Sequence, residues 1–149
     1  MKKIYPVLFF IFVSILFFPS HIFAGNDSVK VKVTVLKASN EGSDFDFDND
    51  AYRDQLVKLF SYKSYHQLDV KGVELKKADR SIISLPEGYE LVLTYQGSEG
   101  SRIMVQALVR KNTTQYVYTV LSIQNPGVVF VGGPEVEKGV LVIVLETGS

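Results

Sequence analysis

Residues 29–35 alternate without exception between valine and a charged or polar residue. A period of two residues places every valine on one face of a β-strand and Lys30, Lys32 and Thr34 on the other. Such a strand becomes stable only when its valine face packs against further apolar surface. The chain must therefore supply more strands, and the alternation makes a sheet with a buried face the framework of the fold.

Further strand patterns recur at short, even intervals after residue 80, separated by the turn signals Pro86-Glu87-Gly88 and Asn125-Pro126-Gly127. This spacing favours an antiparallel meander or sandwich. Residues 140–145 are apolar at every position, which predicts a central strand buried on both faces. The other predicted strands are residues 65–70, 81–85, 89–95, 103–109, 115–123 and 128–131.

One helix is predicted over residues 50–62, after a polar loop at residues 37–50. The apolar residues that share one helical face are Tyr52, Leu56, Leu59 and Phe60. Asp48, Asn49 or Asp50 is suited to cap its N-terminus. We therefore predict a mainly β (α+β) domain, an antiparallel β-sandwich or meander whose one N-terminal amphipathic helix covers one face of the sheet.

Residues 1–24 have the three parts of a secretory signal peptide. Lys2 and Lys3 form the positive start, residues 7–18 are apolar except for Ser14, and Ala24 is the small residue before cleavage. Residues 25–149 then form a single β-rich domain that is exported to the periplasm or secreted, with membrane contact only through the signal peptide before cleavage. The chain has no cysteine, which excludes lipid attachment, disulfides and Cys-ligated metals.

Charge and histidine content exclude further classes of function. Of the 16 Lys and Arg residues, Lys2 and Lys3 belong to the signal peptide. The rest of the chain therefore has 14 basic and 16 acidic residues, which gives it a net charge of −2. Such a balance lacks the excess of positive charge that is typical of proteins that bind nucleic acid. His66 is the one histidine after residue 24, which excludes a His-based triad or a multi-His zinc site within one chain. We expect no cofactor, and Gly132-Gly133 before Pro134 is interpreted as a bulge or tight turn.

The alternating carboxylates Asp44, Asp46, Asp48 and Asp50 are the one candidate Ca²⁺ site in the sequence. An EF-hand loop needs glycine at its sixth position and glutamate at its twelfth. Neither possible register of this segment supplies both residues. We therefore expect no metal site and interpret the segment as an acidic loop that caps the helix.

Two groups of ring side chains are the candidate binding residues. Tyr62, Tyr65 and His66 form an aromatic platform for a sugar or peptide if their rings are exposed, and otherwise pack at a helix-to-strand junction. Tyr116 and Tyr118 form a flat binding stripe if both point outward from one strand face, and otherwise are ordinary strand residues.

Two resemblances rest on quoted segments. The order of signal peptide, valine-alternating strand, helix, LPEGYELVLT and VGGPEVEKGVLVIVL resembles small exported bacterial proteins of unknown function. The segments LSIQNPGVVFVGG (residues 121–133) and GVLVIVLE (139–146) are similar to the late strands of secretins, which are outer-membrane secretion channels. Because Pro134 departs from that pattern and the chain is too short for the channel domain, the similarity implies a strand–turn–strand layout and no pore.

The function predicted from these observations is that of an exported non-enzymatic β domain that contacts another protein of the cell envelope. The alternative is a small-ligand or carbohydrate-binding module, which requires a concave aromatic groove. A second alternative is a hydrolase whose paired carboxylates meet only in space. Its candidate carboxylates are Glu74, Asp79, Glu87, Glu90 and Glu99.

Overall fold

The computed structural model describes residues 28–46 and 52–148. Its regular elements are β1 (Ser28–Ser39), β2 (Phe45–Asp46), α1 (Arg53–Phe60), β3 (Ser64–Lys76), β4 (Arg80–Ser84), β5 (Glu90–Glu99), β6 (Arg102–Lys111), β7 (Thr114–Gln124), β8 (Gly127–Val136) and β9 (Gly139–Thr147). A single 3₁₀ turn at Pro86–Gly88 joins β4 to β5. The predicted mainly β class is confirmed.

The strands form two sheets. The five-stranded sheet has the order β2-β3-β1-β9-β8, and the four-stranded sheet is a meander of β4, β5, β6 and β7. Every neighbouring pair is antiparallel except β2 with β3, which is parallel. The two sheets share one apolar core, an arrangement consistent with a β-sandwich.

The main core lies between the two sheets and begins with the valine face of β1. All four alternating valines of that strand are buried, as their spacing predicts. Their partners from the four-stranded sheet include Leu91, Leu93 and Val105, each without solvent exposure. The first strand and the meander therefore meet through the residues that the period-two pattern assigns to the interior.

A second core lies on the outer face of the five-stranded sheet, beneath α1. Leu56 of the helix packs there with Leu36, Val142 and Val144. Because Leu141, Ile143 and Leu145 belong to the main core, β9 is buried on both faces, which confirms its prediction as a doubly buried strand. The helix thus shields the face of β9 that a lone sheet would leave exposed to water.

The helix differs in part from the sequence expectation. The predicted start at residue 50 lies outside the described residues, and α1 ends where Ser61 adopts φ 57° and donates its backbone N–H to the Val57 carbonyl at 3.0 Å. The sequence pattern places Leu59 on the buried face of the helix, but 61% of its surface is exposed to solvent. Within α1, Leu56 is the residue that is completely buried in the second core. No helix within the described residues is long and apolar enough to cross a membrane.

Several strand limits also differ from the expectation. β3 runs to Lys76 instead of residue 70, because it pairs with β1 along that strand's whole length. β5 continues to Glu99 through the predicted turn at residues 96–101, with a register shift between Tyr95 and Gly97. The predicted polar loop at residues 37–50 contains the end of β1 and the short β2. The expected bulge at Gly132-Gly133 is confirmed by a register shift between Gly132 and Glu135.

Candidate functional site

The four-stranded sheet has two edge strands, β4 and β7. β7 pairs with β6 and with no other strand in the described part of the chain. The next strand, β8, pairs into the five-stranded sheet instead. Val117 and Leu121 face the core from β7 but are only half-buried, whereas the inward-facing Val105 and Ala107 of β6 have no exposure. Within the described residues, no strand forms hydrogen bonds to the side of β7 that faces away from β6, although some Cα atoms of β8 lie within 8 Å of Cα atoms of β7, and we call this side the open edge.

The open edge of β7 has no charged residue and no proline to hinder strand pairing, and its one bulge, at Tyr116, lies near its start. Natural sheets blunt their edges with charged residues, proline, bulges or very short strands. β7 spans the 11 residues Thr114–Gln124 without a charged residue or a proline. By contrast, β4 has five residues and starts at Arg80, and β8 contains a bulge with Pro134. The open part of β3 carries charges such as Asp69 and Lys71, which form an ion pair of 3.2 Å. Among these edges, β7 is thus the one most suited to receive another strand.

An apolar row crosses the outer face of the four-stranded sheet and ends at this edge. Ile82, Val92, Leu108 and Tyr118 lie directly opposite one another on β4, β5, β6 and β7, and we call them the apolar row. The two ends of the row are the most exposed, Ile82 at 57% and Tyr118 at 60%. Val120, two residues after Tyr118 on the same face, is 44% exposed. The apolar row is therefore exposed at its two ends, whereas Val92 in its middle is only 5% exposed.

Polar pairs border the apolar row on both sides. On one side, the Arg110 Nε donates to Glu90 Oε2 at 3.0 Å. On the other side, the Gln96 Nε2 donates to Gln106 Oε1 at 3.2 Å. An exposed apolar patch with a polar border is typical of a contact surface on a soluble protein.

Tyr116 does not share the outer face with Tyr118 in a regular stripe. A register shift between Val109 and Arg110 places the extra residue of β7 at Tyr116 and breaks the alternation on which the predicted stripe depends. The Tyr116 ring packs edge-on against Tyr89, with a centroid distance of 5.1 Å. Tyr89 belongs to the main core, and burial, reinforced by the neighbouring Tyr116, raises the pKa of its hydroxyl. Of the two predicted stripe residues, Tyr118 is the one that lies in the apolar row.

The predicted platform of Tyr62, Tyr65 and His66 does not exist as an exposed surface. Tyr65 is completely buried in the second core, where its hydroxyl donates to the Leu56 carbonyl at 2.9 Å and accepts from the Tyr62 backbone N–H at 3.4 Å. Burial also raises the pKa of Tyr65. His66 follows Tyr65 directly in β3 and so points to the opposite face of the sheet. Tyr65 holds α1 on the sheet and is not available to a ligand.

The acidic segment is only partly within the described residues. Asp44 and Asp46 precede and end the short β2, while Asp48 and Asp50 lie outside the described residues. In the part of the chain that the structure describes, no group of three or more His, Cys, Asp or Glu residues is arranged to hold a metal ion. Ca²⁺ binding by the four carboxylates therefore stays an untested alternative.

A polar contact that the sequence did not reveal joins α1 to the five-stranded sheet. The Tyr52 hydroxyl donates to Glu146 Oε1 at 2.8 Å, and Lys32 Nζ lies 3.3 Å from Glu146 Oε2. Burial, followed by the hydrogen bond to Glu146, raises the pKa of Tyr52 to about 12. Because the three residues lie far apart in the sequence, no local pattern could have indicated this contact. This contact stabilises the docked helix and is therefore interpreted as structural. The candidate functional site remains β7.

Four surface depressions lie away from the exposed side chains of β7. None of the four is lined by Tyr118 or Val120, and each has at most one lining carboxylate, Asp79 or Glu74. Comparison of the chain with protein-family models, curated proteins and solved structures gave no match. The functional argument therefore depends on the chemistry of the surface itself.

Proposed function

We propose that this chain is an exported, non-enzymatic β-sandwich domain that acts by protein–protein contact in the cell envelope, with β7 and the apolar row as its contact surface. The observation that carries the proposal is the open β7 edge, which has 11 residues without charge or proline. The exported location follows from the signal-peptide pattern of residues 1–24, which lie outside the described residues.

An open strand edge recognises a partner through its backbone. An added strand forms main-chain hydrogen bonds with the edge, and alternate side chains then select the partner. On β7, the exposed ring of Tyr118 and the side chain of Val120 lie beside that edge on one face. Tyrosine is enriched in protein interfaces because a large apolar ring is combined with a polar hydroxyl. Backbone and side chains of β7 therefore favour the same kind of partner, an extended segment of protein.

The two alternative functions have less support. A carbohydrate or small-ligand module needs a concave, mostly apolar pocket, and the predicted platform loses Tyr65 to the second core. A carboxylate hydrolase needs two carboxyl groups facing one substrate, and the depressions described above have at most one each. Contact through β7 is consequently the function that we propose.

Site-specific photo-crosslinking in the producing cell tests the contact surface. A photoreactive phenylalanine analogue replaces Tyr118 in one variant and Leu59 in another. The two positions are matched in exposure, 60% and 61%, but Leu59 lies on α1 away from the four-stranded sheet. We expect a discrete covalent adduct from position 118 and none from position 59 at equal protein levels. Equal labelling at both positions, or no adduct at position 118, would refute the proposed surface.

A further inference from the structure

We propose that the partner at the β7 edge is a second copy of this chain, with the two β7 strands paired antiparallel about a twofold axis at Thr119. This inference rests on the proposed function and names the occupant of its contact surface. A twofold interface uses the same surface on both subunits, so the surface must be complementary to itself. Three properties of β7 meet that requirement.

The first property is charge. In an antiparallel pair of identical strands, any charge near the centre lies opposite the same segment of the other copy, and like charges opposite each other are destabilising. No charged residue occurs between Thr114 and Gln124, so two β7 strands meet without such repulsion. Along the sequence the nearest charged residues are Lys111 and the ion-paired Arg110, and in space Arg102 of β6 donates to Ser122 Oγ at 3.4 Å near the end of β7, away from Thr119.

The second property is the pairing that results from an axis at Thr119. The register places Tyr118 opposite Val120 on the outer face, and Val117 opposite Leu121 on the inner face. Thr119 then lies opposite its own copy. Aromatic with β-branched pairs and Thr–Thr pairs are among the favourable cross-strand combinations. Moving the axis by one residue to Val120 pairs Tyr118 with Ser122 and Thr119 with Leu121, so the aromatic and Thr–Thr pairs are lost and Val120 opposite its own copy is the remaining apolar pair on the outer face.

The third property is the solvent exposure that this pairing removes. Tyr118 is 60% exposed and Val120 44%, and the paired strands bring both residues of each copy into one four-residue cluster. The half-buried Val117 and Leu121 are covered at the same time. Among the described strands, β7 is the one long edge without a charge or a proline, so pairing of the two β7 strands closes the assembly at two copies.

Sedimentation velocity of the purified exported chain tests the inference with two matched lysine variants. Val120 and Val57 are 44% and 45% exposed, but only Val120 lies on β7. We expect the unchanged chain and Val57→Lys to sediment as dimers, and Val120→Lys to raise the dissociation constant at least about tenfold. A cooperative thermal transition and an unchanged far-ultraviolet circular dichroism spectrum show that each variant is folded, since loss of the dimer by itself lowers the melting temperature. A monomeric unchanged chain, a larger assembly, or a dimer that survives Val120→Lys would overturn the inference.

Single-cysteine variants test the twofold register, because the native chain has no cysteine to compete. Directly opposite residues have Cα atoms about 4.5–5.5 Å apart, within the range of a disulfide. Thr119→Cys should therefore form a disulfide-linked dimer under mild oxidation. Ser81→Cys, at a similarly half-buried position on the β4 edge, should form at least about tenfold less. Equal oxidation of the two variants would contradict the register.

The two proposals fail in different ways. A monomeric chain whose position 118 crosslinks to a protein of another mass overturns the second copy and retains contact through β7. A monomeric chain without any adduct at position 118 overturns both proposals. A dimer that forms the Thr119→Cys disulfide, with an adduct of twice the chain mass, supports both.

Discussion

Gly139→Ala should destabilise the fold by about 3 kcal/mol, although the substitution adds only one methyl group. Gly139 begins β9 beside the end of β1, and a Cβ atom built there clashes with the carbonyl oxygen of Ala38. The clashing atom belongs to the backbone and cannot rotate away as a flexible side chain would. Relief requires the two central strands of the five-stranded sheet to separate locally, which disturbs both cores because β9 contributes to each.

Gly72→Ala is the control for this prediction, since Gly72 also lies in a strand of the same sheet. A Cβ at Gly72 meets no atom within 4 Å. Removing a glycine from a strand interior reduces the conformational entropy of the unfolded chain, so Gly72→Ala should be neutral or stabilising by up to about 1 kcal/mol. Urea unfolding curves of the two variants measure both free energies of unfolding. If both substitutions lowered the free energy of unfolding by a similar amount, the described close approach of β1 and β9 would be wrong.

Leu56→Ala should cost about 3 kcal/mol of unfolding free energy, within the range observed for buried leucines. Leu56 is completely buried and is the helix residue at the centre of the second core, against Val142 and Val144 of β9. Its truncation leaves a cavity at the contact that holds α1 on the sheet. The Tyr65 hydroxyl, which donates to the Leu56 carbonyl at 2.9 Å, still ties the backbone at this point, so the helix should loosen without dissociating.

Leu59→Ala provides the matched control for the helix, because it removes the same atoms from a side chain that is 61% exposed. A surface substitution of this kind usually changes stability by less than about 0.5 kcal/mol. Chemical denaturation of both variants, followed by far-ultraviolet circular dichroism, measures the difference. If Leu59→Ala were as costly as Leu56→Ala, the helix would be packed through a different face from the one described.

The parts of the fold that could be predicted from sequence are those in which burial determines the local pattern. β1 alternates because only its valine face reaches the core, and β9 is apolar throughout because the main core covers one face and α1 the other. The length of β3 could not be predicted in this way. Beyond residue 70 it lies along an open edge, where Lys71, Glu74 and Lys76 are exposed and resemble a loop in the sequence.

The candidate site depends on information that a single sequence does not contain. Ile82, Val92, Leu108 and Tyr118 form a row only through the registers of three strand pairs, and none of them is a neighbour of another in sequence. The predicted stripe failed at Tyr116, because a bulge in the pairing with β6 displaced that residue toward Tyr89. For Tyr65, the sequence alone already favoured packing over an exposed platform shared with His66. Tyr65 and His66 are consecutive residues of a strand, so their rings could not have shared a face.

Amide hydrogen exchange along β7 in the purified chain tests most directly the claim that this edge pairs with β7 of a second copy. In an antiparallel pair, alternate backbone N–H groups point toward the same neighbour, so about half of the β7 amides face away from β6 and have no strand partner among residues 28–46 and 52–148. We expect these outward amides to exchange slowly in the unchanged chain and rapidly in Val120→Lys, while those bonded to β6 stay protected in both. Rapid exchange of the outward amides in both proteins would contradict the account.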